Sequence, residues 1–502
     1  MKVRLVHPDR DVDCDAALSD EADVVEQDLE VATLLDAMAL GDPFLRGVAR
    51  HVLLSQLWEP EAIRYRQAIL ADARGHAPVV RELYACAVRG VETKRDSRFF
   101  WFRDSPDSVR QKSLGMLATL FGILRDVRRV VERDADGFTS DGFRRLFAML
   151  RRDLDDEYLD TVAIQLNELG FRRGALLSAA VGRGNRGSGY MLRRPKQQRL
   201  LERLTPGAAG LSFTVADRDE SGMDTLAEIR GRGSARVADA LGQSTDHVLA
   251  FFGVLRAELG FYVACLNLSD ELAARGVATT MPDVRPAAEA TLAARELRDA
   301  ALAFHLPEPP VTNDLDADGT RLVLVTGPNQ GGKSTFLRSV GLAQLMMQSG
   351  MFVCADAYRA SVSTGICTHF KREEDPTMTH GKLEEELERM RHIADRIRPG
   401  GLLLCNESFA ATNEREGSEI AHGVLRAMIE ADVRVVFVTH LYDLAERLRG
   451  DTLDRTLYLR AERTQDGQRT FRIVPGEPQP TSHAYDSYRR IFGVTDPMGS
   501  ER

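Results

Sequence analysis

Residues 326–335 read TGPNQGGKST, and Gly327, Gly332, Lys333 and Ser334 in it fit the spacing G-x-x-x-x-G-K-S. That spacing suits one chemistry. Glycines let the backbone turn so that successive N–H groups converge on phosphate oxygens, a lysine neutralises the β and γ charge of a nucleotide, and a serine hydroxyl is offered to Mg2+. Farther along, the apolar run GLLLC is followed by Asn406 and Glu407. Residues that emerge at the carboxyl end of a buried strand face such a loop, where a carboxylate can orient or deprotonate an attacking water. The expected cofactors are ATP and Mg2+.

The elements around these residues have the pattern that the chemistry needs. RLVLV places an apolar strand directly before Gly327, and a helical pattern follows Ser334. From about Pro282 onward, short apolar runs (RLVLVTG, GLLLC, RVVFVTH) alternate with helical stretches, which predicts parallel strands with crossover helices and an α/β domain. Before that point the chain reads as mainly helical. Apolar residues recur at helical spacing from Ala22 to Leu40, which predicts one amphipathic helix stopped by Gly41 and Pro43. The stretch VADALGQSTDHVLAFFGVLRAELGFYVACLNL is long enough for an arm. Between the helices, ALLSAAVGRGNRGSGYMLRR predicts a hairpin or an irregular β segment.

At 502 residues the chain calls for two or three domains, and 43% hydrophobic with 28% charged residues is ordinary globular composition. No stretch approaches the roughly 20 uninterrupted apolar residues of a membrane span, and the start MKVRLVHPDRDVD lacks the apolar core of a signal peptide. A cytoplasmic location is expected. The six cysteines form no CxxC pair, so neither a zinc site nor a disulfide framework is indicated. A net charge of −9 gives no general attraction to nucleic acid, so DNA binding requires a local basic surface.

In order and spacing, TGPNQGGKST, FVCADAY, ICTHFKREEDPTMTHGKLEEELERM, LLLCNESFAATNEREGSEIA and VVFVTHLYDLAERL resemble the ATPase domain of the MutS family. The helical half resembles the family's core, levers and DNA-encircling clamp more weakly. The resemblance implies a multidomain protein: a helical core region over 1–150, a long-helix lever and clamp region with a short β insertion over 151–290, and a P-loop (ABC-type) ATPase domain over 291–502. It assigns the nucleotide to Gly327, Pro328, Asn329, Gly331, Gly332, Lys333, Ser334 and Thr335, with Asn313 near the base. Glu407 becomes the catalytic carboxylate and His440 the switch histidine that senses the γ-phosphate, while Ser334 and Asn406 hold the metal.

Two departures from the family pattern stand out. An aspartate is usual where Asn406 stands, so Mg2+ should be held more weakly and hydrolysis should be slow while Glu407 can still act. The helix HGKLEEELERM resembles the signature that one subunit presents to its partner's nucleotide, yet its usual serine is absent. Gly381 or a neighbour occupies that place, so the contact would rely on backbone N–H groups at the helix start, with Thr379 as the cap. This implies a homodimer through the ATPase domains. The family's mismatch-probing amino-terminal domain and its Smr nuclease domain have no counterpart in the sequence, so a role related to mismatch repair but directed at other DNA structures is expected.

The segment FRRGALLSAAVGRGNRGSGYMLRRPKQQRLLER is rich in arginine and nearly free of acid, which suits phosphate contact through Arg183, Arg186, Arg193, Arg194 and Lys196. The leading reading is a DNA-binding ATPase whose helical arms close around DNA. The alternative is a nucleotide-gated switch that clamps protein or RNA with little or no hydrolysis.

Overall fold

The structure is a computed structural model that describes residues 1–96, 106–171, 176–185, 187–193, 214–216, 219–328, 330–372, 381–450, 456–464 and 468–478. The chain divides into two compact units, one of residues 1–5 and 76–259 and the other of residues 6–75 and 260–502.

The first unit is built from the helices α5 (Ala77–Asp96), α6 (Pro106–Asp134), α7 (Asp141–Asp153) and α8 (Asp156–Leu169), with most of α9 (Glu220–Ala274). At 55 residues α9 is about 80 Å long; it contains the arm-length stretch of residues 237–268 and extends beyond it at both ends. It also holds an 18-residue window of mean hydropathy 1.7, apolar enough to cross a membrane by length and composition. Because 72% of that window is buried, its apolarity is that of a core helix. The expected β segment is an antiparallel hairpin of β1 (Leu176–Val181) and β2 (Gly187–Arg193), in which Leu176 pairs with Arg193.

The second unit starts with α1 (Ala22–Asp28), α2 (Val31–Ala39), α3 (Pro43–Leu54) and α4 (Pro60–Gly75). Where periodicity predicted one helix over Ala22–Leu40, the chain breaks at Glu30, which takes a left-handed conformation at φ 53°. Leu29 and Val31 flank the break, and both are fully buried. In one continuous helix they would be two steps of about 100° apart and so point to nearly opposite sides, and the break lets both enter the core. The Glu30 carboxylate pairs with Arg338, which also bonds buried Asp299 at 2.6 Å. Pro43 at the first position of α3 and Asp42, whose Oδ1 accepts from Phe44 N at 2.8 Å, start that helix.

Two sheets follow. The larger has the strand order β12-β11-β6-β10-β9-β8, where β6 is Leu322–Thr326, β8 Ile366–Phe370, β9 Leu402–Asn406, β10 Arg434–Val438, β11 Thr456–Arg463 and β12 Arg469–Pro475. The five strands from β11 to β8 are joined by four parallel pairings, and β12 pairs antiparallel to β11. The runs RLVLVTG, GLLLC and RVVFVTH thus became β6, β9 and β10. Residues on both faces of these strands are buried, as a parallel sheet covered by helices requires. One face carries α10 (Lys333–Gln348). There a Cβ on Gly341 would stand 2.6 Å from a Leu404 methyl and 2.7 Å from a Leu29 methyl, so helix and sheet meet at contact distance. On the other face Phe437, Leu403 and Phe409 pack with Leu425 and Met428 of α12 (Glu414–Glu430) and Met390 of α11 (Lys382–Ala394). Each such side chain contributes about 1.5–3 kcal/mol of burial. The helix α13 (Tyr442–Gly450) follows β10.

The smaller sheet, ordered β3-β7-β4-β5, joins β3 (Asp283–Arg285), β4 (Leu292–Leu297), β5 (Asn313–Asp316) and β7 (Ala357–Ser361). Its strands span three to six residues, mix exposed with buried positions and shift register between Ala294 and Leu297, so they leave no clear period in the sequence.

Candidate functional site

The carboxyl ends of three adjacent strands, β6, β10 and β9, meet beside the start of α10. Their register aligns Val325 with Val438 and Val438 with Asn406, so the residues that follow each strand are brought to one place. After β6 the chain turns through Gly327 at φ 127° and Gly332 at φ 92° into α10. The turn is too tight for side chains. A Cβ on Gly331 would lie 3.0 Å from Pro328 O, and one on Gly332 would lie 3.0 Å from Phe471 O.

Lys333, only 4% exposed, folds back over this loop and donates to Gly327 O at 2.8 Å and Pro328 O at 3.2 Å. Its Nζ is 3.4 Å from Glu407 Oε1. Burial lowers the lysine's pKa and Glu407 partly opposes that effect. Ser334 donates its hydroxyl to Asn406 Oδ1 at 2.9 Å. The second oxygen of Glu407 bonds His440 Nδ1. Burial raises the pKa of Glu407, but its hydrogen bond from His440 and the charge of Lys333 outweigh burial, and the net shift is downward. The same hydrogen bond holds the pKa of His440 above its usual value. Glu407 is therefore a half-buried carboxylate held in its ionised form by the charge of Lys333 and by its hydrogen bond from His440.

Glu407 and Phe409 both have positive φ, 54° and 63°, a conformation that costs non-glycine residues of order 1–3 kcal/mol each and that persists only when the surroundings hold it. Here Ser408 is fully buried, and its hydroxyl proton is shared between two acceptors of His369 on β8, the backbone O at 2.8 Å and the unprotonated ring Nδ1 at 2.7 Å. The other ring nitrogen donates to Glu386 O on α11 at 3.0 Å, and the ring stacks on Phe409. Burial lowers the pKa of His369 to about 4, so the ring is neutral at physiological pH.

A cavity of about 510 Å³ opens over this cluster, lined by Gln330, Gly331, Gly332, Lys333, Ser334, Thr335, Lys371, Glu407, His440 and Phe471. Sequence reasoning named Gly331–Thr335, Glu407 and His440 and placed Asn406 beside them. Gly327 and Pro328 form the loop behind, and Asn329 lies outside the described residues. Asn313, expected near a base, accepts from Ile473 N at 2.6 Å and so ties β5 to β12; it does not line the cavity. Gly381 is the N-cap of α11, also away from the lining residues, and Thr379 lies outside the described residues. Arg183 and Arg193 lie in the β1–β2 hairpin of the other unit, both exposed, with Arg193 Nε bonded to Ser178 Oγ at 2.9 Å. Arg186, Arg194 and Lys196 lie outside the described residues.

Sequence reasoning did not single out Gln330, Lys371 and Phe471. Arg469 bonds Gln330 Oε1 at 2.7 Å and braces the loop against β12. Lys371 directly follows β8, and Phe471 lies on β12. The cue available for Lys371 was a lysine directly after the apolar run ICTHF.

A helical unit joined to a parallel-sheet α/β unit, with a glycine loop, a buried lysine and an ionised glutamate at the carboxyl ends of the strands, defines a multidomain protein with a polar site on its α/β part. The chain belongs to the MutS family: the family model for the MutS2 N-terminal domain matches residues 59–275 and that for MutS domain V matches residues 323–481. It is 28% identical over 238 residues to MutS protein homolog 4 of Mus musculus, a match covering 46% of this chain and 24% of that protein. Against endonuclease MutS2 of Lacticaseibacillus casei the identity is 31% over 198 residues, 39% of this chain and 25% of the relative. Against DNA mismatch repair protein MutS of Porphyromonas gingivalis it is 32% over 184 residues, 36% and 20% respectively. The chain thus spans about a quarter of the length of these curated relatives.

Proposed function

We propose that this protein is a MutS-related ATPase that binds DNA, and that the loop from Gly327 to Lys333 is a P-loop. The observation that carries the reading is the convergence of Lys333, Ser334, Glu407 and His440 on one cavity within the stretch matched by domain V, the family's ATPase domain. Glycine backbone too confined for side chains, and the open N–H groups at the start of α10, suit the phosphates of ATP. Ser334 Oγ and Asn406 Oδ1, two oxygens 2.9 Å apart, suit a hard cation and would hold Mg2+. When bound, that ion neutralises charge on the terminal phosphates.

The residues of the chain divide the work as follows. Lys333 exchanges Gly327 O, Pro328 O and Glu407 for the β- and γ-phosphates. This releases one oxygen of Glu407, which is already ionised and orients the attacking water and accepts its proton. His440 keeps the other oxygen of Glu407 in place and senses the γ-phosphate. Asn406 lacks the charge of a carboxylate, so metal is held weakly and turnover is slow. Phe471, 47% exposed at the cavity, offers an apolar face to the base.

Arg183 and Arg193 on the exposed hairpin provide phosphate contacts with duplex or structured DNA. ATP binding draws two ATPase domains together through the start of α11 and closes the helical arms. This reading is tested by sedimentation of labelled matched, mismatched, branched and single-stranded DNA with the protein, with and without ATP. ATP should shift the protein toward dimer, and DNA binding should weaken with salt and with Arg183→Ala plus Arg193→Ala. Binding of RNA with no affinity for any DNA would favour the switch reading, and an unchanged monomer with ATP would remove the dimer.

A further inference from the structure

A neutral amide and a lysine meet at neighbouring strand ends. The backbone N–H of Lys371 donates to Asn406 O at 3.0 Å, one step beyond the register that pairs Phe370 with Asn406. A neutral amide thus stands at the end of β9, and beside it, directly after β8, a lysine lines the same cavity as Lys333, Ser334, Glu407 and His440.

The charges around the cavity differ in what they have left to give. Lys333 lies 3.4 Å from Glu407, and His440 bonds the other oxygen of that carboxylate. Lys371 is exposed and contributes to the cavity as a point charge, close enough that its field opposes protonation of His440. ATP without metal carries about four negative charges, and a divalent ion usually offsets part of them. A metal partner reduced to a neutral amide weakens that offset, and a lysine ammonium is a compact alternative cation for a phosphate.

We propose that Lys371 binds the terminal phosphate of the nucleotide and takes over part of the charge neutralisation that a divalent cation otherwise supplies, so that this protein holds ATP without metal. The proposal rests on the nucleotide reading of the cavity. Its consequence is that binding and turnover part company: binding persists in chelator, whereas turnover still depends on Mg2+. Because the ammonium meets the γ-phosphate, ATP depends on Lys371 more than ADP does.

The test is equilibrium binding of fluorescent ATP and ADP analogues to the full chain, in Mg2+ and in excess EDTA. The variants are Lys371→Ala, Lys371→Met, which keeps the apolar stem, and Lys371→Arg, which keeps the charge. For the wild type, EDTA should weaken ATP by less than about 3-fold, since the lysine rather than the ion carries the contact. Lys371→Ala and Lys371→Met should weaken ATP about 10-fold in EDTA and ADP by less than about 3-fold, the loss expected of one charge-assisted contact that is partly solvent-exposed. Lys371→Arg should restore most of the ATP affinity. The proposal is overturned if wild type loses ATP completely in EDTA, or if Lys371→Ala and Lys371→Met bind ATP as wild type does in EDTA. Wild type that binds neither nucleotide in either condition overturns the nucleotide reading itself, and the two failures are distinct.

Discussion

Asn406→Asp restores a negative charge at the end of β9 and leaves the geometry nearly unchanged, because Asp keeps the oxygen that accepts from Ser334 Oγ at 2.9 Å. A unit charge about 4 Å from another is worth roughly 1 kcal/mol in water and roughly 4 kcal/mol at an effective dielectric of 20, and a divalent ion doubles both figures. Desolvation takes back most of that gain at a site whose residue is only partly buried. The new carboxylate also stands next to Glu407. A net gain on the order of 1–2 kcal/mol remains, which is roughly 10-fold in Mg2+ affinity. The assay is ATP turnover against free Mg2+ at saturating ATP. The half-saturating Mg2+ concentration should fall about 10-fold in Asn406→Asp, while the rate at saturating Mg2+ changes by less than about 3-fold, because the Asp acts on the metal and not on the base. An unchanged or raised Mg2+ requirement in a folded Asn406→Asp protein refutes the placement of the metal between Ser334 and Asn406.

Lys333→Ala should weaken ATP by more than about 100-fold, since a buried cation opposite phosphates is removed without replacement, and isothermal titration reads this directly; equal affinity would remove the P-loop assignment. The Glu407–His440 pair should make nucleotide-free stability depend on pH. The pKa of His440 is raised, so its contribution is fully present below about pH 6.5, the ordinary histidine value, and is lost as pH rises through the raised value; the lowered pKa of Glu407 keeps its own contribution until the pH falls well into the acid range. Thermal unfolding of wild type and His440→Ala should therefore differ more at pH 6 than at pH 8.5, and a difference independent of pH would show that the pair is not ionic.

The parts of the site that were legible in the sequence are those whose spacing is set by local mechanics. Gly327, Gly332, Lys333 and Ser334 lie on one turn, so a fixed interval records the loop, and an apolar run before Asn406 and Glu407 records the strand that presents them. Lys371 and Phe471 enter the same cavity by strand pairing between distant segments, and no interval in the sequence encodes that. The break at Glu30 is decided by Leu29 and Val31 both entering the core and by Arg338, a residue far along the chain, so periodicity over Ala22–Leu40 could not reveal it. Likewise, residues 6–75 share a compact unit with the α/β part. Buried Arg66 donates to Ser349 O at 3.3 Å, and Leu57 N donates to Gln348 O at 3.2 Å. Such long-range bonds hold residues 6–75 in the unit that carries the α/β part.

The most direct measurement of the central claim is ATP turnover by wild type and Glu407→Gln across a range of Mg2+ concentrations, with DNA present and with ATP binding measured on the same samples. Glu407→Gln keeps the shape of the side chain but removes its basicity. The account predicts slow but measurable wild-type turnover, a loss of at least about 100-fold in Glu407→Gln, and retained ATP binding in the variant. Turnover of Glu407→Gln at the wild-type rate, or no wild-type turnover at any Mg2+ concentration, would contradict it.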